Sequence, residues 1–324
     1  MTLAIGIDLG GTNIRAALVD TLPRSIVVPD LRAERKRKLP ATDPDTVVSV
    51  IAEEVAAIVA EAPEAAHVPV GIGIAGMLRG DTGIVDNSPN LGWRNVDFLG
   101  MLRARAPGHR FELANDVNAI TFGEYSYGAG RGARDILGVF VGTGIGGGIV
   151  SGGVLVKGAS HIAGEIGHTK VAWDASARPC GCGLRGCIEA YLGGKNLARR
   201  AREEVGAGAS PQTLAFAGGL DGLHGGHIDQ AARAGDPWAV AIWDEIALLF
   251  GAVLANAVTL LNPGRGIVGG SVVWGTPDLM RRSLAQYERI VNVPSGAACI
   301  IVQSQLGDTA GILGTAALAA LTTA

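Results

Sequence analysis

Two hydrophobic periods alternate along the chain. Short apolar runs of strand length occur at Leu3 to Ile7, Val68 to Ala75, Phe111 to Leu113 and Gly266 to Val268. Their lengths and flanking Gly or Asn residues are those of buried strands. Between Pro44 and Glu61 the period changes, and Val47, Val50, Ile51, Val55, Ile58 and Val59 fall on one helical face. Further helices are predicted over 116–125, with Asn115 as a possible N-cap, over 189–205 and 236–261, from near Pro277, and over Leu306 to Leu318. Strands alternating with helices predict an α/β protein.

One pattern occurs twice. Gly6 to Leu18 and Gly138 to Val150 each read as an apolar strand, a Gly/Thr turn and a second apolar strand, roughly 130 residues apart. This predicts a duplicated fold in which each half opens with a phosphate-facing turn. A smaller α/β domain is expected over 1–114 plus 305–324, and a larger one over 115–304. At 324 residues the length suits two domains of about 150 residues each.

Composition narrows the function. Glycine numbers 49, about twice average usage, so tight turns and close backbone approaches are frequent. A net charge of -3 argues against a general nucleic-acid binder, which needs a basic face to displace counterions. The basic run Arg32 to Lys38 reads as a solvated edge strand. No membrane span is expected. The most apolar segment, Ile242 to Leu261, carries Asp244, Glu245 and Asn256 and suits a buried core helix. The opening residues lack a basic n-region and an h-region, so no signal peptide is expected and the predicted location is cytoplasmic.

Gly142 to Gly147 satisfies G-x-G-x-x-G, with Glu165 about 20 residues on, and so mimics a dinucleotide fingerprint. That fingerprint needs a helix directly after the glycines, because its N-terminus holds the pyrophosphate. Here Gly148 to Val156 reads as strand, glycine turn and strand instead. Backbone N–H groups in such Gly-rich turns form anion nests. Two nests, one at Gly10, Gly11, Thr12 and Asn13 and one at Gly142, Thr143 and Gly144, suit a triphosphate. Asp8 ends the first strand, where a carboxylate can hold Mg²⁺ through water. Gly269 and Gly270 follow the strand at 266–268 and suit the adenine and ribose of ATP.

Cys180, Cys182 and Cys187 lie within eight residues, while Cys299 is remote. Clustered thiols favour a metal over a disulfide in a cytoplasmic setting. Three thiolates and one imidazole make a closed tetrahedral zinc site of structural type. His161 and His168 are the rival fourth ligands.

These stretches together resemble the ROK family of sugar kinases and repressors. The resemblance rests on DLGGTN at 8–13, ELANDVNA at 112–119, VGTGIGGG at 141–148, AGEIGH at 163–168, CGCGLRGC at 180–187 and GG at 269–270. It covers nearly the whole chain in order. It implies an actin-like (ribonuclease H-like) ATPase fold with two domains around a central cleft. It also implies ATP, Mg²⁺ and a structural Zn²⁺ as cofactors. By the same resemblance Asp116 is the catalytic base, Asn90, Asn115, Asp116, Glu165, His168 and Glu189 bind the sugar, and His168 joins Cys180, Cys182 and Cys187 as the zinc ligand. The stretch from Lys170 to Arg178 looks slightly longer than the family's usual spacing.

Ser88 to Trp93 looks most like the glucokinases of the family, which implies phosphorylation of the 6-hydroxyl of glucose. Kinases for N-acetylmannosamine, N-acetylglucosamine or fructose are the alternative. A sugar-sensing regulator is less favoured, since a helix-turn-helix module would precede Asp8 and Asp116 would have no task. The family resemblance further implies a homodimer or homotetramer.

Overall fold

The structure is a computed structural model that describes residues 3–21 and 28–321. In chain order the elements begin with β1 (Leu3–Leu9), β2 (Asn13–Asp20), β3 (Leu31–Lys38), α1 (Pro44–Glu61), β4 (Val70–Ile74), β5 (Met77–Leu78), β6 (Ile84–Ser88) and β7 (Trp93–Asp97). They continue with α2 (Phe98–Arg105), β8 (Phe111–Asn115), α3 (Asp116–Tyr127), β9 (Ile136–Val141), β10 (Ile145–Ser151) and β11 (Val154–Leu155). Then follow α4 (Glu189–Leu192), α5 (Gly194–Gly206), α6 (Pro211–Ala217), α7 (Gly225–Arg233), α8 (Pro237–Leu261) and β12 (Arg265–Gly269). The chain closes with α9 (Ser271–Gly275), α10 (Pro277–Ile290), α11 (Val293–Ala298), β13 (Ile300–Gln303) and α12 (Ala310–Leu321).

The strand orders show the duplication directly. One five-stranded sheet runs β3-β2-β1-β4-β8 and the other β11-β10-β9-β12-β13. In the first, β1 pairs antiparallel with β2 and parallel with β4, and β4 pairs parallel with β8. In the second, β10 pairs antiparallel with β11, and β12 pairs parallel with β13. A small sheet of β5, β6 and β7 is added between β4 and α2.

The chain divides into two compact units: Met1–Ile136 with Gly148–Gly164 and Ser304–Ala324, and Leu137–Gly147 with Glu165–Gln303. The first unit therefore extends past the expected boundary at 114 and takes in all of α3. The cause lies in its core, where α3 packs on α12 and α12 lies across β1 and β4. Glycines make that approach possible: a Cβ at Gly6 or Gly71 would run into the backbone carbonyl of Ile312 or Thr315.

Local chemistry sets the helix ends. Asp43 caps α1 by accepting from Thr46 N at 3.0 Å, with Pro44 in the first turn. Asp236 caps α8 through Ala239 N at 2.9 Å, and Asn262 ends it in the left-handed region at φ 46°. By length and composition α8 could cross a membrane. Its buried side packs against α7 and α10, while Asp244 and Glu245 pair with Arg282 and Arg200.

Two expectations need correction. The helix predicted over 189–205 is two helices, broken where Gly193 and Gly194 turn the chain from α4 into α5. The last helix starts at Ala310, after a 3-10 turn over Gly307–Thr309. The small sheet, α2, α6, α7, α9, α11 and β13 were not predicted. The basic run does form the edge strand β3, where Arg35 meets Glu54 and Arg37 meets Glu53, each at 2.6 Å, and Arg32 pairs with Glu64. These carboxylates neutralise much of its charge.

Candidate active site

In the first unit, the predicted residues gather around the ends of β1, β4 and β8. The β1–β2 hairpin closes with Gly10 N donating to Asn13 O at 3.0 Å, and Thr12 O accepts from Leu39 N at 2.8 Å. Thr12 and Asn13 are exposed at the tip. Gly11 lies against Asn90, whose carbonyl oxygen would be 2.9 Å from any Cβ there. Asn90 sits between β6 and β7, on a loop anchored by Ser88 Oγ donating to Ala75 O at 2.7 Å. Trp93 fastens its far side by donating from Nε1 to Thr42 O at 2.5 Å.

Asn115 is the N-cap of α3. Its Oδ1 accepts from Val117 N at 3.0 Å and Asn118 N at 3.1 Å, and its Nδ2 donates to Gly76 O at 3.2 Å. This leaves one amide N–H for a ligand. Asp116 opens the helix, with Oδ1 accepting from its neighbour Val117 N at 2.9 Å.

Asp8 is the electrostatically unusual group of this unit. Burial raises its pKa to about 6, with the nearby Asp116 and Asp308 charges adding and Arg15 opposing. Arg15 lies opposite Asp8 in the β1–β2 register and is held by Glu34 at 3.0 Å and by Asp308 O at 2.9 Å. A half-buried carboxylate crowded by other carboxylates is a fitting seat for a divalent cation. Asp8 is therefore the group of this unit whose surroundings suit Mg²⁺.

In the second unit, the glycine loop between β9 and β10 meets two helix starts. Gly142 N donates to Gly144 O at 2.9 Å, which shapes the turn. Gly142 O and Thr143 O then accept from Gly194 N and Lys195 N at the start of α5, at 2.9 and 3.0 Å. Gly270, at φ 97°, brings the start of α9 against Val141, and Ser271 Oγ lies near Gly142. Gly193, Gly194, Lys195 and Ser271 were not singled out in the sequence. The Gly-Gly-Lys run before a helical pattern was the readable signal.

The metal cluster lies in the same unit. The ligand atoms of His168, Cys180, Cys182 and Cys187 all fall within 4.8 Å of one another. Cys182 Sγ and Cys187 Sγ are 3.7 Å apart, and Cys180 Sγ is 3.6 Å from His168 Nδ1. Zn–S bonds of about 2.3 Å at tetrahedral angles separate sulfurs by about 3.8 Å, so the spacing fits zinc. Lys170 Nζ stands 3.0 Å from Cys187 Sγ. His161 belongs to the first unit, with Nδ1 3.7 Å from Asp81 Oδ1. Among the described residues the cluster contains His168 and not His161.

With Nδ1 turned to the sulfurs, His168 presents Nε2 to Glu165 Oε2 at 3.8 Å. Burial, with the Glu189 charge adding, pushes the Glu165 carboxyl up, while His168 pulls it the other way. Glu189 opens α4. Its Oε2 accepts from Ile145 N at 2.9 Å and its Oε1 lies 3.8 Å from Cys180 Sγ. Glu165, His168 and Glu189 thus form one polar group backed by the metal cluster.

The profile of the ROK family matches residues 4–321. The chain belongs to the ROK family. It is 36% identical to a glucokinase of Streptomyces coelicolor, with 98% of both chains aligned. A crystal structure of a ROK hexokinase from Thermus thermophilus matches with a TM-score of 0.82 at 28% identity, covering 99% of each chain. A ROK family glucokinase from Streptomyces griseus, solved with glucose and AMPPNP, matches with a TM-score of 0.73 at 35% identity, covering 98% of this chain and 99% of that one. The fold is the actin-like ATPase fold of these kinases.

Proposed function

We propose that this ROK protein is an ATP-dependent hexokinase that transfers the γ-phosphoryl group of MgATP to the 6-hydroxyl of glucose. The observation that carries the reading is Asp116, a carboxylate set at a helix N-terminus, in a chain that aligns end to end with glucokinases. Phosphoryl transfer asks mainly for positioning and charge neutralisation, with one base at the attacking hydroxyl. Asp116 takes that proton as the oxygen attacks phosphorus.

Each unit brings its own set of contacts. From the first, Asn90, Asn115 and Asp116 bind sugar hydroxyls, and Gly10, Gly11, Thr12 and Asn13 cradle phosphate. From the second, Glu165, His168 and Glu189 bind sugar, Gly142, Thr143 and Gly144 bind phosphate, and Gly269 and Gly270 admit the nucleoside. The anchoring of Gly142 O and Thr143 O to the start of α5 supports the phosphate role, because it fixes the shape of the glycine turn. Asp8 holds magnesium, which neutralises phosphate charge when bound. Zinc, held by His168, Cys180, Cys182 and Cys187, fixes the His168 ring and the start of α4. Unpaired clustered cysteines support a reducing, cytoplasmic setting, and the family resemblance supports a homodimer or homotetramer.

A coupled ADP-release assay with MgATP against glucose, mannose, fructose, N-acetylglucosamine and N-acetylmannosamine tests the reading. Glucose should give the highest kcat/KM. A higher value for an N-acetylated sugar would move the substrate while keeping the reaction. No turnover with any of these sugars would overturn the kinase reading.

A further inference from the structure

Beside the metal loop lies a cavity of about 590 Å³ lined by Ala172, Ser176, Arg178, Pro179, Arg185, Tyr191, Glu245 and Leu249. All of its walls belong to the second unit. The volume is that of a site for a small metabolite. Two of its walls come from the segment 171–177, the stretch that looks longer than the family's usual spacing.

The charges around it are unequal. Arg178 Nη2 meets Glu204 at 3.1 Å, and Arg200 meets Glu204 at 2.9 Å and Glu245 at 2.7 Å. Trp238 Nε1 also donates to Glu204 at 2.9 Å. Both carboxylates are thereby occupied. Among the lining residues Arg178 and Arg185 outnumber Glu245; Arg178 and Glu245 are paired, with Glu204 and Arg200, and Arg185 is left. Its side chain makes no hydrogen bond or ion pair among the described residues, and it is exposed to the cavity. Arg200, which pairs with the lining residue Glu245, is buried and its Nη1 has no partner among the described residues.

The rest of the lining is shaped for more than a bare ion. Tyr191 presents its ring beneath the Arg178 guanidinium, 6.0 Å from the centroid, while its hydroxyl accepts from Arg178 N at 3.2 Å. Ala172, Pro179 and Leu249 supply apolar wall, and Ser176 supplies a hydroxyl. Guanidinium groups pair with phosphate through parallel N–H bonds.

We propose that this cavity binds a small organic phosphate, with Arg185 and Arg178 on the phosphate and Tyr191 with the apolar wall under its carbon body. The site is separate from the sugar and nucleotide contacts assigned above. Its occupant touches the loop between Cys180 and Cys187 and the helix that carries Glu189.

Trp173 is 81% exposed beside Ala172 and serves as a built-in reporter. The test titrates inorganic phosphate and glucose 6-phosphate into the full-length protein with saturating glucose and MgAMPPNP, following tryptophan fluorescence. The wild type should give a saturable change with glucose 6-phosphate, Trp173→Phe should lose it, and Arg185→Ala should bind at least tenfold more weakly with unchanged Tm. A response to inorganic phosphate alone at similar affinity would still place the anion, without the carbon body. No saturable change, or equal affinity in Arg185→Ala, overturns the proposal. So does a change of sedimenting mass in Arg185→Ala without any phosphate response, which would make the cavity a contact between copies. The fluorescence readout is independent of turnover, so its failure is distinguishable from failure of the kinase reading.

Discussion

Glu189 Oε2 accepts a hydrogen bond from Ile145 N at 2.9 Å, so the carboxylate two residues after Cys187 also holds the second glycine loop. The contact is close enough to exclude any side chain at Gly144, where a Cβ would lie 2.5 Å from the same oxygen. Charge-assisted bonds of this kind contribute about 1.5–3 kcal/mol, or roughly 10–100-fold in an equilibrium. Glu189→Gln should therefore weaken both substrates, raising KM for glucose and for ATP about tenfold or more. Gly144→Ala should likewise affect both substrates, because its Cβ would displace the Glu189 carboxylate. Steady-state kinetics with each substrate varied checks both variants, and a Glu189→Gln variant with unchanged ATP KM would show that the link carries no function.

Asp116 touches the sugar but should act chiefly as the base, with its contact adding little to affinity beside those of Asn90 and Asn115. The helix cap is supplied by Asn115, so Asp116→Ala leaves the start of α3 intact. The expected loss is about 10²–10⁴-fold in kcat, with little change in sugar affinity. Calorimetry with glucose, beside turnover measured at saturating substrates, checks both halves. Turnover within threefold of wild type would remove Asp116 from the chemistry.

The metal cluster makes a separate prediction. The purified protein should carry one zinc per chain, bound by four protein atoms and so structural in type. Removal by a chelator should lower Tm and raise the glucose KM, because His168 and the start of α4 lose their anchor. Cys187→Ser should do the same without a chelator, since Cys187 is fully buried in the cluster. Elemental analysis that finds no zinc, or kinetics unmoved by its removal, would contradict the assignment.

Much of this was legible in the sequence where one residue type has few alternatives. The duplicated hairpins showed because glycine, threonine and apolar residues repeat in order, and both sheets follow the same strand order. The three cysteines showed because their spacing has little other use. The choice between His168 and His161 was not decided by spacing, since both precede the cysteines; three-dimensional proximity makes it. The small sheet carrying Asn90 was hidden because its strands are short and half exposed. Glu124 was hidden for another reason. It reads as a polar helix residue, yet it is fully buried, accepting from Ala129 N, Gln305 N and Leu306 N at 2.8–2.9 Å. A contact across about 180 residues leaves no local trace.

The last prediction concerns pH and follows from Asp8. Its carboxyl is raised from 3.8 to about 6, first by burial and then by Asp116. Between those two values the folded protein holds a proton that the unfolded chain has lost. Stability of the ligand-free protein therefore falls as pH rises through that window, and the penalty is fully present above about pH 6. At 1.36 kcal/mol per pH unit the full effect is about 3 kcal/mol. Asp8→Asn should thus be more stable than wild type at pH 7, with the difference shrinking towards pH 4. Urea unfolding of both proteins across pH 4–8 measures it. Saturating Mg²⁺ and AMPPNP should stabilise the wild type more than the variant, and more at pH 7 than at pH 5, because the cation must displace the proton. Equal curves for the two proteins at every pH would mean that Asp8 is not strained in the ligand-free state and that a cation has no charge to relieve there.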